Sequence, residues 1–311
     1  IQVGAGLGAD FRDDPVRVGA VPGTELPFNS ELLSFNANLS TAKQITPSLS
    51  IGAAATVGFG LLQIGTVGQS GPDIPTGQFG GTTSSVHDTG VRFSLGITQQ
   101  VSDNIILSAL YKSKLKYEFT DVTSTSVAPE GLQTLTVEQP AEYVLGAAMN
   151  LSPSWLIEID IMRNLWGGAS TYEDIYKDQT AFVLGTQYKL GDWSFRLGYS
   201  HQSDQFRDEP NNSINSLHGI GSIPLPFIGN DLIKIVQTAS TPVVSSDSVS
   251  LGIGYDIAPS TRIDAFGAYS FKESLTRNTP NVDAALGLPV SSSYRADVTL
   301  WVIGVGVNFK Y

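Results

Sequence analysis

The chain has 311 residues, of which 41% are hydrophobic, 32 are glycine and none is cysteine, and its formal net charge is −11. The lack of cysteine excludes disulfides, thiolate metal sites and cysteine nucleophiles, and the acidic balance argues against a nucleic-acid partner, which needs a basic patch. No run approaches the ~18 consecutive apolar residues of a transmembrane helix.

Apolar residues alternate with small or polar residues along the whole chain, as in VRFSLGIT (residues 91–98) and WSFRLGYS (residues 193–200). Successive strand side chains point to opposite faces, so each such segment predicts a strand with one apolar face. Many segments reach the roughly 9 to 11 residues that a strand needs to cross a bilayer. Because an open sheet edge cannot lie in hydrocarbon, this pattern predicts a closed barrel.

In chain order, the predicted strands cover residues 1–11, 32–43, 48–64, 89–101, 104–119, 134–151, 154–166, 176–190, 192–203, 245–257, 260–273 and 294–311. Their connections alternate between short turns and long loops, which is typical of outer-membrane barrels with short periplasmic turns and longer outer loops. The fold class that this predicts is all-β, a transmembrane antiparallel up-and-down barrel with about twelve strands present. The long loops are then extracellular.

Aromatic residues recur near the strand ends, as expected for girdles at the two membrane interfaces. Beside the short turns stand Trp155, Tyr188, Trp193 and Tyr255, and toward the long loops stand Tyr117, Phe119, Tyr199, Tyr269 and Phe271.

The two chain ends carry separate signals. The sequence has no initiator Met and no signal peptide, and Ile1 already lies in an alternating pattern, so we expect an upstream part to be absent. The last strand alternates up to a terminal aromatic, Tyr311, which is typical of the signal by which the barrel assembly machinery recognises its substrates.

Five stretches in this order resemble the FadL family of outer-membrane transporters for hydrophobic compounds, which includes TodX-like channels. They are VGAGLGADFRDD, GVRFSLGITQQVSDNIILSALYKSKLKYEF, LTVEQPAEYVLGAAMNLSPSWLIEIDIMRNLW, DWSFRLGYS and LWVIGVGVNFKY. The resemblance implies a fourteen-stranded barrel with an N-terminal hatch that carries an Asn-Pro-Ala motif. This sequence lacks that motif, so residues 1–311 are expected to form one barrel domain without the hatch and the first two strands.

The resemblance further implies passive uptake of long-chain fatty acids or of aromatic or aliphatic hydrocarbons across the outer membrane of a Gram-negative bacterium. Release would be lateral, through an opening at the family's third strand. Gly4, Gly6 and Gly8 lie on one face of the matching strand, and glycines mark bulges and bends. Simple crowding of the lumen is the other interpretation, since Gly52, Gly58 and Gly60 follow the same pattern elsewhere.

The candidate ligand-binding residues come from the loops and from the inward phase of the strands. The family's outer groove corresponds to loops 65–88 and 120–133, where Phe79 is a candidate. Phe227 lies in an apolar run of loop 204–244, which is either a binding site or a lid over the mouth of the barrel.

Inside the barrel, Lys112, Lys114 and Lys116 form a possible ladder for a carboxylate cargo and alternate with Tyr111, Leu115 and Tyr117, which we expect to face outward. Pairing of these lysines with other wall residues is the simpler interpretation. Apolar residues on the inward phase favour a ligand pocket over a general pore: they are Leu110, Leu156, Met162, Phe266, Leu300 and Val302.

Two other functions stay open, a diffusion porin for polar solutes and a surface receptor or adhesin that uses loop 204–244. Catalysis is not expected, since nothing resembles a nucleophile elbow, and neither a cofactor nor a metal ion is expected. The partners would be hydrophobic small molecules, outer-membrane lipid and lipopolysaccharide, and the barrel assembly machinery, and the protein would be a monomer.

Overall fold

The structure, a computed structural model, describes residues 2–11, 13–14, 16–17, 25–26, 29–65, 79–125, 133–210, 219–220, 223–224, 230–239, 246–285, 287, 289 and 291–309.

The strands within these ranges are β1 (Gln2–Asp10), β2 (Val16–Arg17), β3 (Glu25–Leu26), β4 (Asn29–Thr46), β5 (Leu49–Gly65), β6 (Phe79–Ser102), β7 (Ile105–Lys112), β8 (Leu115–Thr125), β9 (Gln133–Gln139), β10 (Glu142–Ser152), β11 (Trp155–Asn164), β12 (Gln179–Leu190), β13 (Trp193–Gln202), β14 (Gly219–Ile220), β15 (Ile223–Pro224), β16 (Asp247–Ala258), β17 (Thr261–Asn278) and β18 (Ser293–Phe309).

The described helices are short and lie in the connections. They are a 3-10 turn (Trp166–Gly168), α1 (Tyr172–Ile175), α2 (Asp231–Ala239) and α3 (Pro280–Ala285). No helix among the described residues has the length and apolar character that crossing a membrane requires.

Fourteen strands form one antiparallel sheet in which the long strands lie next to their neighbours in the chain. The sheet order is β1-β4-β5-β6-β7-β10-β11-β12-β13-β16-β17-β18, with β8 and β9 off this path. This up-and-down order confirms the predicted barrel fold class. In the part of the sheet that the structure describes, β1 and β18 do not pair, so the sheet is open between these strands.

The alternation predicted from the sequence appears as two unlike faces. The outer face is apolar and exposed: Val91, Trp301 and Val305 are 73%, 71% and 74% exposed. Arg196 and Asp264 lie on the inner face, where they are ion-paired. An apolar exposed face with a polar inner face is the arrangement that lipid requires and water disfavours.

Five tight turns join the long strands at one end of the sheet, which we name the turn end. They centre on Pro47, Asp103, Pro153, Gly191 and Pro259, as the sequence predicted. Gly191 adopts a φ of 58°, a conformation that favours glycine. The buried core lies at the opposite end, the mouth, where Leu32, Leu62 and Tyr117 are buried on the strand halves distant from the turns.

Two predicted strands are each divided in two. Residues 104–119 become β7 and the start of β8, and residues 134–151 become the end of β9 and most of β10. The breaks fall at Ser113–Lys114 and at Pro140–Ala141, which lie opposite each other in the sheet. Proline has no backbone N–H for the ladder, which explains the second break.

Beyond these breaks, β8 and β9 pair with each other as a ribbon that leaves the barrel wall. Within the sheet, β8 also pairs with β6 at the tip of the ribbon, where Phe79–Gly81 oppose Thr123–Thr125. Two loops predicted from the sequence are shorter than expected, because β6 begins at Phe79 and β17 continues to Asn278.

Candidate functional site: the mouth and the inner face

The ribbon presents its apolar residues to the inner face of the barrel wall. Leu115, Tyr117 and Phe119 have no exposed surface. The prediction that Leu115 and Tyr117 face outward is therefore wrong, as is the place of Tyr117 and Phe119 in an aromatic girdle. The reason is the break at Ser113–Lys114: beyond it the ribbon lies over the inner face of β5 and β6, so that Leu115 and Tyr117 meet the wall instead of lipid.

Glycines on the inner face of β5 and β6 make room for these side chains. A Cβ on Gly58 would lie 2.7 Å from Leu115 Cδ2, one on Gly60 would lie 3.0 Å from Phe119 Cζ, and one on Gly90 would lie 2.9 Å from Leu115 Cδ1. We name the surface of Gly58, Gly60 and Gly90 the slot. These glycines allow a second layer of strand to pack closely on the wall.

The slot ends in a small polar network on β4. Tyr117 Oη is hydrogen-bonded to Ser34 Oγ at 2.7 Å, and Gln139 Nε2 donates to the same oxygen at 3.2 Å. Ser34 Oγ in turn donates to Asn36 Oδ1 at 3.4 Å. Ser34 and Asn36 are almost fully buried, so these bonds satisfy polar groups that would otherwise be costly to bury.

The lysines of the predicted ladder are paired with carboxylates. Lys112 Nζ lies 2.6 Å from Glu142 Oε1, and Lys114 Nζ lies 2.8 Å from Glu138 Oε2. Lys116 pairs with Glu118. Lys112 lies on the inner face of the wall, whereas Lys114 and Lys116 lie on the exposed face of the ribbon.

Glu138 fastens the ribbon to the loop after β11. Ser170 N donates to Glu138 Oε2 at 3.0 Å, Glu138 N donates to Ser170 O at 3.3 Å, and Lys114 Nζ also reaches Gly168 O. Burial raises the pKa of Glu138, but hydrogen bonds from Lys114 and Ser170 outweigh it and hold the pKa below its ordinary value. The carboxylate is therefore kept charged, which strengthens this attachment.

The loop after β11 packs on the loop after β13 through four aromatic rings. Trp166 contacts Tyr172 and Tyr176 with centroids 5.1 and 5.4 Å apart, and Tyr176 meets Phe206 edge-on at 5.3 Å. Burial raises the pKa of Tyr172 to about 12, so its phenol stays neutral at physiological pH.

Helix α2 packs in the mouth beside these two loops. Gln237 Nε2 donates to Ile175 O and Arg207 O, both at 2.9 Å, and Gln237 Oε1 accepts from Arg277 Nε at 2.8 Å. One buried side chain thus connects two loops to β17. The ribbon, the two loops and α2 share one apolar cluster of packed side chains in the described part of the mouth.

Three apolar residues come together on the inner face below the ribbon. Leu110 of β7 lies opposite Val144 of β10, which lies opposite Met162 of β11. The sequence had singled out Leu110 and Met162 but not Val144, although Val144 has the same inward phase.

Leu156 and Phe266 share a second row across the sheet but are separated by Arg196. Arg196 donates from Nη1 to Asp264 Oδ1 and from Nε to Gln187 Oε1, both at 2.8 Å. Phe266 is 51% exposed, so its ring borders open space on the inner face. This row lies closer to the turn end and is more polar than the row of Val144.

The three candidate glycines of the side opening lie on β1, whose partner is the mouth half of β4. The register of β1 shifts between Val3 and Ala5, at Gly4, whereas Gly6 and Gly8 pair regularly with Leu33 and Glu31. The side opening at these glycines stays a prediction.

Two candidates have no described side chain. Phe79 lies in β6, with its backbone opposite Thr125, and Phe227 falls outside the described residues.

A separate cavity of about 230 Å³ lies between the start of the loop after β13 and the mouth end of β17. Asp204, Asp208 and Glu273 line it beside Phe206 and Leu275. Its carboxylates make it a poor site for a hydrocarbon.

Sequence reasoning missed Ser34, Asn36 and the inward role of Tyr117. The signal that it had was the row of glycines at 58, 60 and 90, all on one phase, which marks a place where another part of the chain approaches the wall.

Comparisons with known proteins agree with this architecture. Residues 6–214 match the sequence model of the outer membrane protein transport protein family, OMPP1/FadL/TodX. No curated protein matches the chain.

Solved structures with the same fold include the toluene transporter TodX of Pseudomonas putida, with 18% identity and a TM-score of 0.63 over 99% of this chain and 77% of that chain. The toluene transporter TbuX of Ralstonia pickettii has 16% identity and a TM-score of 0.54, over 94% of this chain and 74% of that chain. A Pseudomonas aeruginosa FadL homologue has 14% identity and a TM-score of 0.58, over 98% and 86%.

Proposed function

Because this chain belongs to the OMPP1/FadL/TodX family of outer-membrane transport proteins, we propose that it takes up small apolar molecules, in particular hydrocarbons, and releases them sideways into the membrane. The loop end would face the outside of the cell, and the turn end the periplasm. The observation that carries the proposal is the mouth, whose described residues form one buried apolar cluster.

The path would begin at this cluster and continue to the apolar row of Leu110, Val144 and Met162. An apolar molecule gains little from a water-filled channel, whereas each methylene that it buries contributes about 0.8 kcal/mol. A side opening at the bend of β1, near Gly4, Gly6 and Gly8, would let the cargo pass directly into hydrocarbon.

A hydrocarbon suits the lysines better than a carboxylate does. Lys112 and Lys114 already have carboxylate partners at 2.6 and 2.8 Å, so a fatty acid would have to displace Glu142 or Glu138. Loss of oleate uptake in Lys112→Ala, with toluene uptake unchanged, would instead identify an anionic cargo.

Uptake of radiolabelled toluene by cells that depend on this protein tests the proposal, with sugar-driven swelling of liposomes as the comparison. We expect toluene uptake and little swelling. Rapid swelling with sugars and no toluene uptake would show that the protein is a polar porin.

A further inference from the structure

We infer that β8 has a second position, paired with β6 in the barrel wall, and that exchange between the two positions opens and closes the mouth. This inference rests on the proposed uptake of apolar molecules, because such molecules need a way past the ribbon.

The first observation is an edge of β6 that has no strand partner. On the side of β7, the pairing of β6 stops at Ser94, and it resumes only at Gly81 near the tip of the ribbon. Because Phe93 exchanges hydrogen bonds with Ser113, the alternate residues Val91, Thr89 and His87 direct their backbone groups to the same side. In the described part of the sheet, no strand is paired with this edge.

The second observation is the register. Ser94 pairs with Lys112, and continuing that ladder would place Val91 opposite Leu115 and Thr89 opposite Tyr117. At the tip, Gly81 pairs with Thr123, which differs from this continuation by only two residues. β8 therefore lies inside the wall in nearly the register of this ladder, and joining the unpaired edge of β6 requires an outward movement at Ser113–Lys114 and Pro140–Ala141 with a shift of about two residues along the strand.

The third observation is that the pattern of β8 suits both positions. In the present position, Leu115, Tyr117 and Phe119 fill the slot. In the wall position these same residues would face outward, on the side of the exposed Val91, and Lys114 and Lys116 would join Lys112 on the inner face. Strand alternation thus gives the apolar face an apolar environment in each position.

The contacts that hold the present position include the bond of Tyr117 to Ser34, the bonds of Glu138 and Lys114 to the loop after β11, and the bond that Glu118 N donates to Asp88 Oδ2. A cargo molecule that fills the slot replaces Tyr117 and Phe119 over Gly58 and Gly60. Since it binds only when β8 has left, it shifts the equilibrium toward the wall position.

The test uses cysteine pairs, which are unambiguous because the chain has no cysteine. In Val91→Cys/Leu115→Cys the two thiols lie on opposite sides of the wall in the present position, Val91 being 73% exposed and Leu115 0%. They come together only in the wall position. The matched control is Ile97→Cys/Ala109→Cys, which are directly opposite in the intact ladder of β6 and β7 and lie on the same strand phase as Val91 and Leu115.

We expect the first pair to form a disulfide under oxidation, and to form it at least twofold faster in the presence of toluene. No disulfide under conditions in which the control pair reacts completely overturns the inference.

A second pair locks the ribbon in place. Glu138→Cys/Ser170→Cys joins the ribbon to the loop after β11, and we expect oxidation to lower toluene uptake at least tenfold and reduction to restore it. Unchanged uptake in the oxidised protein argues against the gate. If the reduced protein takes up no toluene, the proposed function fails, while the disulfide of Val91→Cys/Leu115→Cys still reports on the ribbon.

Amide hydrogen exchange in the unmodified protein tests the same inference without any substitution. Amides of Thr89 and Val91 should exchange readily in the present position and become protected when toluene is added. Strong protection without toluene, or exchange that toluene does not change, contradicts a second position for β8.

Discussion

The absence of a Cβ atom at Gly90 allows the ribbon to approach the wall closely. Gly90 accepts the backbone of β8, and its added Cβ would lie 3.2 Å from the carbonyl carbon of Lys116. Gly96 lies on the same strand and the same face, but its added Cβ would meet nothing nearer than Leu110 Cδ1 at 3.7 Å. The two glycines therefore form a matched pair, one with a packing role and one without.

We expect Gly90→Ala to destabilise the protein by about 1–3 kcal/mol, the usual cost of overpacking, and to loosen the ribbon. Gly96→Ala should be close to neutral. The measurement is the free energy of unfolding in urea. Equal effects of the two substitutions would contradict the close approach of β8.

The hydroxyl of Tyr117 is hydrogen-bonded to the buried Ser34. We expect Tyr117→Phe to lower the free energy of unfolding by about 1 kcal/mol, since Ser34 loses one hydrogen-bond partner. Tyr143→Phe, on the exposed outer face, is the control and should change little. A stability loss in the control alone would place the important hydroxyl elsewhere.

Between elements, the attachment of the ribbon to the loop after β11 depends on a charged Glu138. The pKa of Glu138 is lowered in the folded protein from its ordinary 4.5. A depressed pKa contributes stability above the unfolded value, and that stability is lost as the pH falls through the folded value.

The ribbon should therefore loosen below about pH 4.5, and Glu138→Gln should remove this dependence. The melting temperature of the two proteins between pH 7 and pH 3 measures it. Glu118→Gln is the control, because that carboxylate pairs only within the ribbon through Lys116. Parallel pH profiles of the original protein and Glu138→Gln would assign the effect to other groups.

The buried Tyr172 makes the stability of the packing between the two mouth loops depend on pH in the alkaline range. Its pKa of about 12 exceeds the ordinary 10.0, so the unfolded phenol ionises first and stability falls as the pH rises between these values. Tyr172→Phe should flatten the profile over this range. Monitoring Trp166 fluorescence during alkaline titration checks it, and an unchanged profile would mean that the ring is not buried.

At the scale of the whole molecule, the barrel places its apolar surface outside and again in the mouth. The outer surface fits lipid, and the mouth cluster lies at the loop end of the inner face. Under the proposed function, an apolar solute would replace the side chains of this cluster, whereas a polar solute would not.

We therefore expect that deleting the ribbon, by joining Lys112 to Glu142 through a short Gly-Ser linker, converts the protein into a leaky pore. The register supports the deletion, because Lys112 and Glu142 are already opposite each other. Liposome swelling with small sugars should rise severalfold over the unmodified protein. Swelling that stays at the original level would mean that the ribbon does not close the mouth.

The sequence by itself determined the barrel. The two-residue alternation within each strand shows which of its faces is apolar, and this pattern does not depend on residues of other strands. The same holds for the turns at Pro47, Gly191 and Pro259, where proline and glycine act locally. It also singled out Leu110 and Met162 correctly as residues of the inner face.

Only the tertiary structure decided whether the apolar face of β8 contacts lipid or the slot. The alternation of Leu115, Tyr117 and Phe119 is equally compatible with facing lipid or facing the slot, since both are apolar. The choice depends on Ser34, Gly58 and Gly60, which come from strands distant in the chain, and a pattern within one strand carries no information about them.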